Sequence, residues 1–242
     1  MANIALLMMG GIGQRVGAPI PKQFVRIKGK PIFLYILGSL SNLTCIDDIV
    51  IVVHQDWIEY TTKCVHATCI NKVRGIVKGG ISRSESVLNG LSKVKEFAKQ
   101  NDIVMMFDAT HPYVDKQGIE DLIKATEQYG GATLGQRQYD TCYRIDKNDM
   151  LCEVLPRQEI VSGASPEAFL FQTIYNIYKN ASKIELDKMT SAGAIALAHH
   201  VKMKVCTLNT INLKITYPQD IEILEKIFGL YFSENMDEKQ IA

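Results

Sequence analysis

The segment Met9-Gly10-Gly11-Ile12-Gly13-Gln14-Arg15-Val16-Gly17, followed by Pro21-Lys22-Gln23-Phe24, carries the clearest chemical pattern in the chain. With no side chains at 10, 11 and 13, backbone N–H groups can close on an anion. A turn leaving the carboxyl end of a strand is also where open α/β sheets bind ligands. A tight turn with no ligand is the plainer alternative. Two familiar glycine loops do not fit. A dinucleotide turn, Gly-x-Gly-x-x-Gly, needs glycines at 11, 13 and 16 or at 10, 12 and 15, and Val16, Ile12 and Arg15 stand there instead. A P-loop needs Gly-Lys-Ser/Thr, whereas Gly17 is followed by Ala18-Pro19. The spacing leaves a phosphate cradle with two cations, Arg15 and Lys22. That set suits phosphoryl or nucleotidyl transfer, where charge grows on the equatorial oxygens and the leaving pyrophosphate and catalysis is largely electrostatic positioning.

Such a loop needs a sheet behind it. Residues 3–9, 49–54, 73–77 and 103–107 are short apolar, β-branched runs, predicted as strands buried on both faces. Between the third and fourth, Val87, Leu91, Val94 and Phe97 recur on one helical face within 82–100, with Ser82 and Ser84 available as caps. Ile119, Leu122, Ile123 and Ala125 mark a second helix that Gly130-Gly131 can end. From 136 to 165 the sequence turns polar, irregular and Pro-interrupted. A structureless loop of that length is improbable inside a compact domain, so a hairpin-like arm packing on something else is expected. Helices near 167–179 and 190–199, a strand at 203–208 and a final helix at 218–228 follow, before a polar, fraying tail at 233–242. The expected fold is a single α/β domain over 1–242, a Rossmann-like, mostly parallel sheet with helices on both faces plus a protruding β-arm at 136–165.

Composition narrows the classes. The 242 residues carry 27 Lys+Arg against 26 Asp+Glu, a formal charge of +1, so the clustered cations that nucleic-acid binding exploits are missing. No apolar run reaches the ~20 residues needed to span a bilayer, and the start of the chain lacks a basic leader, so a soluble, cytoplasmic protein is expected. Six cysteines, at 45, 64, 69, 142, 152 and 206, form no C-x-x-C pair and are read as plain thiols. His54, His66, His199 and His200 show no partner pattern and are read as surface or core histidines.

The string Gly10-Gly11-x-Gly13-x-Arg15-x-Gly17-x-x-x-Pro21-Lys22-Gln23-Phe24 resembles the signature of the CTP-dependent cytidylyltransferases that act on alditol phosphates, the methylerythritol-phosphate and ribitol-phosphate enzymes. Three further segments fit that family in order: Gly79-Gly80-Ile81-Ser82-Arg83-Ser84-Glu85-Ser86-Val87, Phe107-Asp108-Ala109-Thr110-His111-Pro112 and Asn212-Leu213-Lys214-Ile215-Thr216. The resemblance runs from residue 3 to about 228, and its fold is of the nucleotide-diphospho-sugar transferase type. It implies transfer of CMP from CTP to an alditol phosphate with release of pyrophosphate. Arg15 and Lys22 are then the catalytic cations, and Met9, Gly10, Gly11, Gly13, Gly80, Arg83, Ser86 and Lys214 bind the nucleotide. Asp108, closing an apolar strand, is expected to hold Mg²⁺ on the triphosphate. Asp108, His111, Thr141, Arg157 and Ser165 fall to the acceptor, and the arm is expected to cross to a second subunit in a homodimer. Each has an ordinary counterpart: Asp108 as a turn cap, Arg83 and Ser86 as a helix start, Lys214 as a solvated lysine on a strand, and Arg157 as a surface arginine.

Three positions depart from the family pattern. His111 stands for an arginine, Glu167 for a glutamine, and Thr190-Ser191 for Thr-Asp. A histidine titrating near pH ~6.5 would make acceptor affinity vary between about pH 6 and 8. Ribitol 5-phosphate, on a route to cell-wall or capsule polymers, is expected slightly ahead of methylerythritol phosphate, the isoprenoid precursor. A degenerate nucleotide-binding subunit and a nicotinamide dehydrogenase are the readings from other classes, the second without the glycine spacing it needs.

Overall fold

A strand that is apolar on both sides of its pleat is satisfied only between two helical layers. In the computed structural model, which describes residues 1–11 and 20–232, β1 (Asn3–Met9) takes that place. It pairs in parallel with β4 (Asp48–Val53) on one side and β6 (Ile103–Asp108) on the other. Ala5, Leu7 and Met9 face a layer built from α1 (Ile32–Asn42), α2 (Ile58–His66) and α4 (Lys116–Tyr129). Ile4, Leu6 and Met8 face α3 (Arg83–Val94), α5 (Phe171–Asn180) and α7 (Ala192–Ala198), with Leu186 of the short α6 (Lys183–Lys188) packed against the same cluster. α3 lies very close to the sheet: a Cβ on Gly90 would come within 2.6 Å of Leu6 Cδ1 and 2.7 Å of Val52 Cγ2.

The main sheet has seven strands in the order β11-β7-β10-β6-β1-β4-β5, adding β5 (Val73–Lys78), β7 (Gly130–Arg137), β10 (Val161–Leu170) and β11 (Lys202–Thr207). Only β10 runs antiparallel, to β6 and β7 alike, so the mostly parallel α/β sheet with helices on both faces is present as expected. Successive strands are added on opposite sides of β1, which opens a crevice at the carboxyl ends of β1 and β6. That switch point is where ligands enter such sheets.

Two elements flank the crevice. A ribbon of β2 (Arg26–Ile27) and β3 (Lys30–Pro31) precedes α1, and α8 (Pro218–Phe232) closes the described chain. Leu224 and Ile221 of α8 pack with Ile27, Ile32, Tyr35 and Ile215, which presses residues 212–216 toward the crevice. The arm is a two-stranded antiparallel hairpin, β8 (Cys142–Ile145) and β9 (Leu151–Leu155), reached through β7 and left through β10. Tyr143, Ile145, Met150, Leu151 and Val154 on it are exposed.

Several expectations shift in detail. The helix expected at 167–179 begins only at Phe171, because Glu167 to Leu170 pair with β6 and the apolar run 168–171 suits either state until those neighbours choose. The helix at 82–100 ends at Val94, and the chain after it turns so that Lys99 N–H reaches the Asp102 carboxylate. Gly130 does end α4, in the left-handed conformation at φ +94°, but the chain passes straight into β7, which was not foreseen. α1 was also missed: seven of its residues are buried, so it shows no polar face to read as a period. All six cysteines are free thiols, and no helix among the described residues is long and apolar enough to cross a membrane.

Candidate active site

β1 delivers Met9 and Gly10 to the crevice, with Gly11 just beyond; Gly13 and Arg15 lie outside the described residues. Where the turn leaves β1 it is held by Gln23, which is only 2% exposed. Its Nε2 donates to the Met9 carbonyl at 2.8 Å and to the Gly11 carbonyl at 2.9 Å. Phe24 anchors the same segment, stacked on Trp57 at 4.3 Å and edge-on to Phe33 at 5.6 Å.

A second glycine pair comes from the end of β5. Gly79 N–H donates to the Val53 carbonyl, and Gly80 N–H donates to Ser86 Oγ at 2.9 Å, whose own hydroxyl donates to the Ser82 carbonyl. A Cβ on Gly79 would lie 3.4 Å from Gly10 Cα and 3.2 Å from Ser86 Oγ, so the two loops meet backbone to backbone. Met9, Gly10, Gly11, Gly80 and Ser86 are thereby gathered, with Arg83 exposed at the start of α3. Ser82 caps that helix by accepting Glu85 N–H. Ser84, the other expected cap, instead donates to the Leu186 carbonyl.

Asp108 ends β6 at the same crevice, and its carboxylate is fully engaged. Oδ1 accepts the N–H and the hydroxyl of Thr110 at 3.1 and 2.7 Å, and Oδ2 pairs with Lys214 Nζ at 2.7 Å. Asp108 N–H donates to Ser165 Oγ at 2.9 Å. Burial alone would raise this carboxyl, but the charge and hydrogen bond of Lys214, with His111 and Thr110, hold it well below the carboxylate range. The turn-cap reading of Asp108 is met by its Thr110 bonds, beside an ion pair with Lys214 that the sequence did not suggest. Lys22 Nζ donates to the Ile215 carbonyl at 2.6 Å, and Ile215 N–H donates to the Thr110 carbonyl. Lys214 does not lie on a strand, as the Val/Ile/Thr-rich run suggested. Residues 211–216 are irregular: the backbone of Ile215 bonds to Thr110 and Lys22, and Thr216 N–H donates to Asp220 of α8, so none of these bonds goes to a ladder.

His111 is more deeply buried than a neutral-pH switch can be. Burial lowers its pKa, the nearby Lys214 and Lys22 lower it further, and Asp108 only partly opposes them, leaving it at about 4. The imidazole is neutral near pH 7, so the expected titration between pH 6 and 8 does not arise here. His199 and His54 also have partners unseen in the sequence: Glu185 Oε1 at 2.8 Å from His199 Nε2, and the Asp56 N–H for His54 Nδ1.

Lys22, Asp108, His111, Ser165 and Lys214 therefore form one cluster drawn from separate segments. Arg157 and Thr141 do not join it in the single chain. Arg157 Nη1 donates to the Tyr139 carbonyl within the arm, and Thr141 is exposed. Two residues that hold the candidate site together, Gln23 and Thr110, were not singled out by sequence reasoning. Gln23 stood in the quoted signature as a polar side chain beside an apolar aromatic, and Thr110 stood two residues after an aspartate, the spacing of a side-chain-capped turn.

Among the described residues no group of three or more His, Cys, Asp or Glu could enclose a metal ion. Asp108 is a single carboxylate at the crevice. That fits a divalent ion arriving already chelated by a triphosphate, since Mg²⁺ commonly takes one or two carboxylates plus phosphate oxygens. It does not fit a resident protein-built cage.

The family model described as 2-C-methyl-D-erythritol 4-phosphate cytidylyltransferase matches residues 3–229. A protein of that name from Clostridium novyi is 34% identical over 227 residues, 93% of this chain and 96% of its own. Another from Thermotoga neapolitana is 32% identical over 227 residues, again 93% and 96%. Among solved structures, 4-diphosphocytidyl-2C-methyl-D-erythritol synthase from Anaerococcus prevotii superposes with a TM-score of 0.80 over 94% of this chain and 96% of that one, at 22% identity.

Proposed function

Since the chain belongs to the 2-C-methyl-D-erythritol 4-phosphate cytidylyltransferase family and is a nucleotidyltransferase, we propose that it transfers CMP from CTP to 2-C-methyl-D-erythritol 4-phosphate, working as a cytoplasmic homodimer. Support for this acceptor comes from the match over residues 3–229 and from the curated relatives, which carry that substrate in their names. Ribitol 5-phosphate, slightly preferred on the sequence alone, takes second place. The observation that carries the reading is the cluster of Lys22, Asp108 and Lys214 at the end of β6, beside the paired glycine loops that follow β1 and β5.

In this reading the triphosphate lies along Gly10 and Gly11, and the cytosine or ribose meets the Gly80–Ser86 loop. An oxygen of the acceptor phosphate attacks the α-phosphorus in line as the bond to the pyrophosphate oxygen breaks. Lys22 and Arg15 meet the charge that grows on the equatorial oxygens, and Lys214 meets the phosphates. A divalent ion, when bound, neutralises triphosphate charge, and Asp108 is the residue to hold it. Oδ2 is already taken by Lys214 at 2.7 Å, so that ammonium must exchange Asp108 for phosphate when the nucleotide arrives. His111, neutral at pH 7, offers the acceptor a hydrogen bond in place of the family's permanent cation. The arm, with Tyr143, Ile145, Leu151 and Val154 exposed, packs on a second copy and brings Arg157 and Thr141 to the partner's acceptor site.

The test is pyrophosphate release by the purified protein with Mg²⁺ and CTP, comparing methylerythritol phosphate with ribitol 5-phosphate, and CTP with UTP. Methylerythritol phosphate with CTP should be the best pair. Faster release with ribitol 5-phosphate would overturn the acceptor, and equal use of UTP would overturn the base preference. Silence with every alditol phosphate would leave the non-catalytic subunit.

A further inference from the structure

Two of the three departures from the family pattern meet in space. Glu167 lies on β10 immediately after a register slip between Ala164 and Glu167. Its Oε2 accepts the Ala192 N–H at 3.0 Å and its Oε1 the Gly193 N–H at 2.9 Å. The Ser191 hydroxyl accepts the Ala194 N–H at 3.1 Å. The first three donors of α7 are thus met by one carboxylate from the neighbouring strand and one neutral cap. Gly193 makes the approach possible, because a Cβ there would fall 2.5 Å from Glu167 Oε1.

A glutamine has one acceptor oxygen and an NH₂ group that would face the second N–H, so it cannot grip both donors in this way. An aspartate at 191 would place a carboxylate on the helix's own cap, where negative charge is favourable. Glu167 with Ser191 is therefore a single exchange, in which the charge at the start of α7 moves from the helix to the strand. The move has a consequence for the site. Ser165, within the slip and two residues before Glu167, is the residue whose hydroxyl accepts the Asp108 N–H.

We infer that Glu167 is a positioning residue for nucleotidyl transfer: by clamping β10 to the first turn of α7 it fixes Ser165 and, through it, the main chain of Asp108. The inference rests on the nucleotidyltransfer reading for its kinetic side only. Misplacing a reacting group by about 1 Å from a distance can cost up to ~100-fold in rate, and a loosened clamp should cost ~10-fold.

The experiment compares Glu167→Gln, Ser191→Asp and the double variant by steady-state kinetics and by hydrogen exchange at the Asp108 amide. Glu167→Gln should lower kcat ~10-fold with KM for CTP nearly unchanged, and should speed exchange at Asp108. Adding Ser191→Asp supplies a carboxylate to which the glutamine NH₂ at 167 can donate while its oxygen keeps one N–H, so β10 is tied to α7 again and both readouts should return toward wild type, although residue 191 touches nothing in the site. Unchanged kcat and unchanged Asp108 exchange in Glu167→Gln, or no recovery in the double variant, would overturn the inference. If Glu167→Gln does not fold, Ser191→Asp alone, which sets a second carboxylate against Glu167, must speed Asp108 exchange, and unchanged exchange overturns it. A wild-type protein that releases no pyrophosphate from CTP would sink the nucleotidyltransfer reading instead, while the exchange data would still decide the clamp.

Discussion

Gln23→Leu removes one side-chain amide of nearly equal size and leaves two carbonyls without their donor. The Met9 carbonyl belongs to a residue only 3% exposed, so water cannot replace the lost bond; an unsatisfied buried acceptor costs ~1–3 kcal/mol. Gly11 is exposed, so its carbonyl can be hydrated and the loss is the net worth of one hydrogen bond, ~0.5–1.5 kcal/mol. The sum, about 2–4 kcal/mol, is a large part of an ordinary domain's ~5–15 kcal/mol. At ~2–4 °C per kcal/mol for a chain of this size, the melting temperature should fall by roughly 5–15 °C. Gln23→Glu discriminates further. At pH 7 a carboxylate would face the same two carbonyl oxygens with no proton to share, so it should destabilise more than leucine does. Because both bonds hold the start of the glycine turn, KM for CTP should rise ~10-fold in Gln23→Leu while KM for the acceptor changes little. Thermal unfolding with steady-state kinetics reads all three. A leucine variant within ~0.5 kcal/mol of wild type, or a glutamate variant no worse than leucine, would refute the reasoning.

Lys22→Ala and Arg15→Ala should each lower turnover ~100-fold or more, the usual loss of one preorganised transition-state donor, with unfolding midpoints close to wild type; near-normal kcat in either would remove that residue from the chemistry. His111 has a folded pKa of about 4 against 6.5 when free, so the unfolded chain takes up a proton that the folded one refuses. Its contribution is complete above pH ~6.5 and is lost as pH falls toward 4, by up to ~3 kcal/mol, and His111→Gln should flatten that part of a denaturation series. Acceptor KM, for the same reason, should carry no His111-dependent change between pH 6 and 8, and a step there that vanishes in His111→Gln would contradict the neutral imidazole. Arg157→Ala should raise KM for the acceptor far more than KM for CTP, and mixing it with Lys22→Ala subunits should recover activity if arms cross between copies. Isolated heterodimers without recovery would exclude the crossed arm.

Local sequence determined the pieces whose physics is local. The run Asn3–Met9 is apolar on both faces, so it had to be a central strand, and its carboxyl end delivers Gly10 and Gly11. Gly130 had to end a helix because few other residues take its left-handed backbone cheaply. The four ordered motifs likewise implied a shared site for Lys22, Asp108, Ser86 and Lys214, and the fold brings Lys22, Asp108 and Lys214 together. Other features are set by contacts between distant segments and have no period to read. The run Ala168–Phe171 became strand and then helix only because β6 and β7 offered hydrogen-bond partners as far as Leu170. α1, apolar on nearly every face, needed the layer around it to reveal itself. The histidine at 111 looks like a neutral-pH switch in isolation, yet burial beside two lysines takes its charge away. Glu167 and Ser191 look like separate departures, 24 positions apart in the chain. Only folding lays β10 against α7, where the Glu167 carboxylate meets the two N–H groups that follow Ser191, because a backbone N–H donates to any acceptor oxygen that geometry brings within about 3 Å.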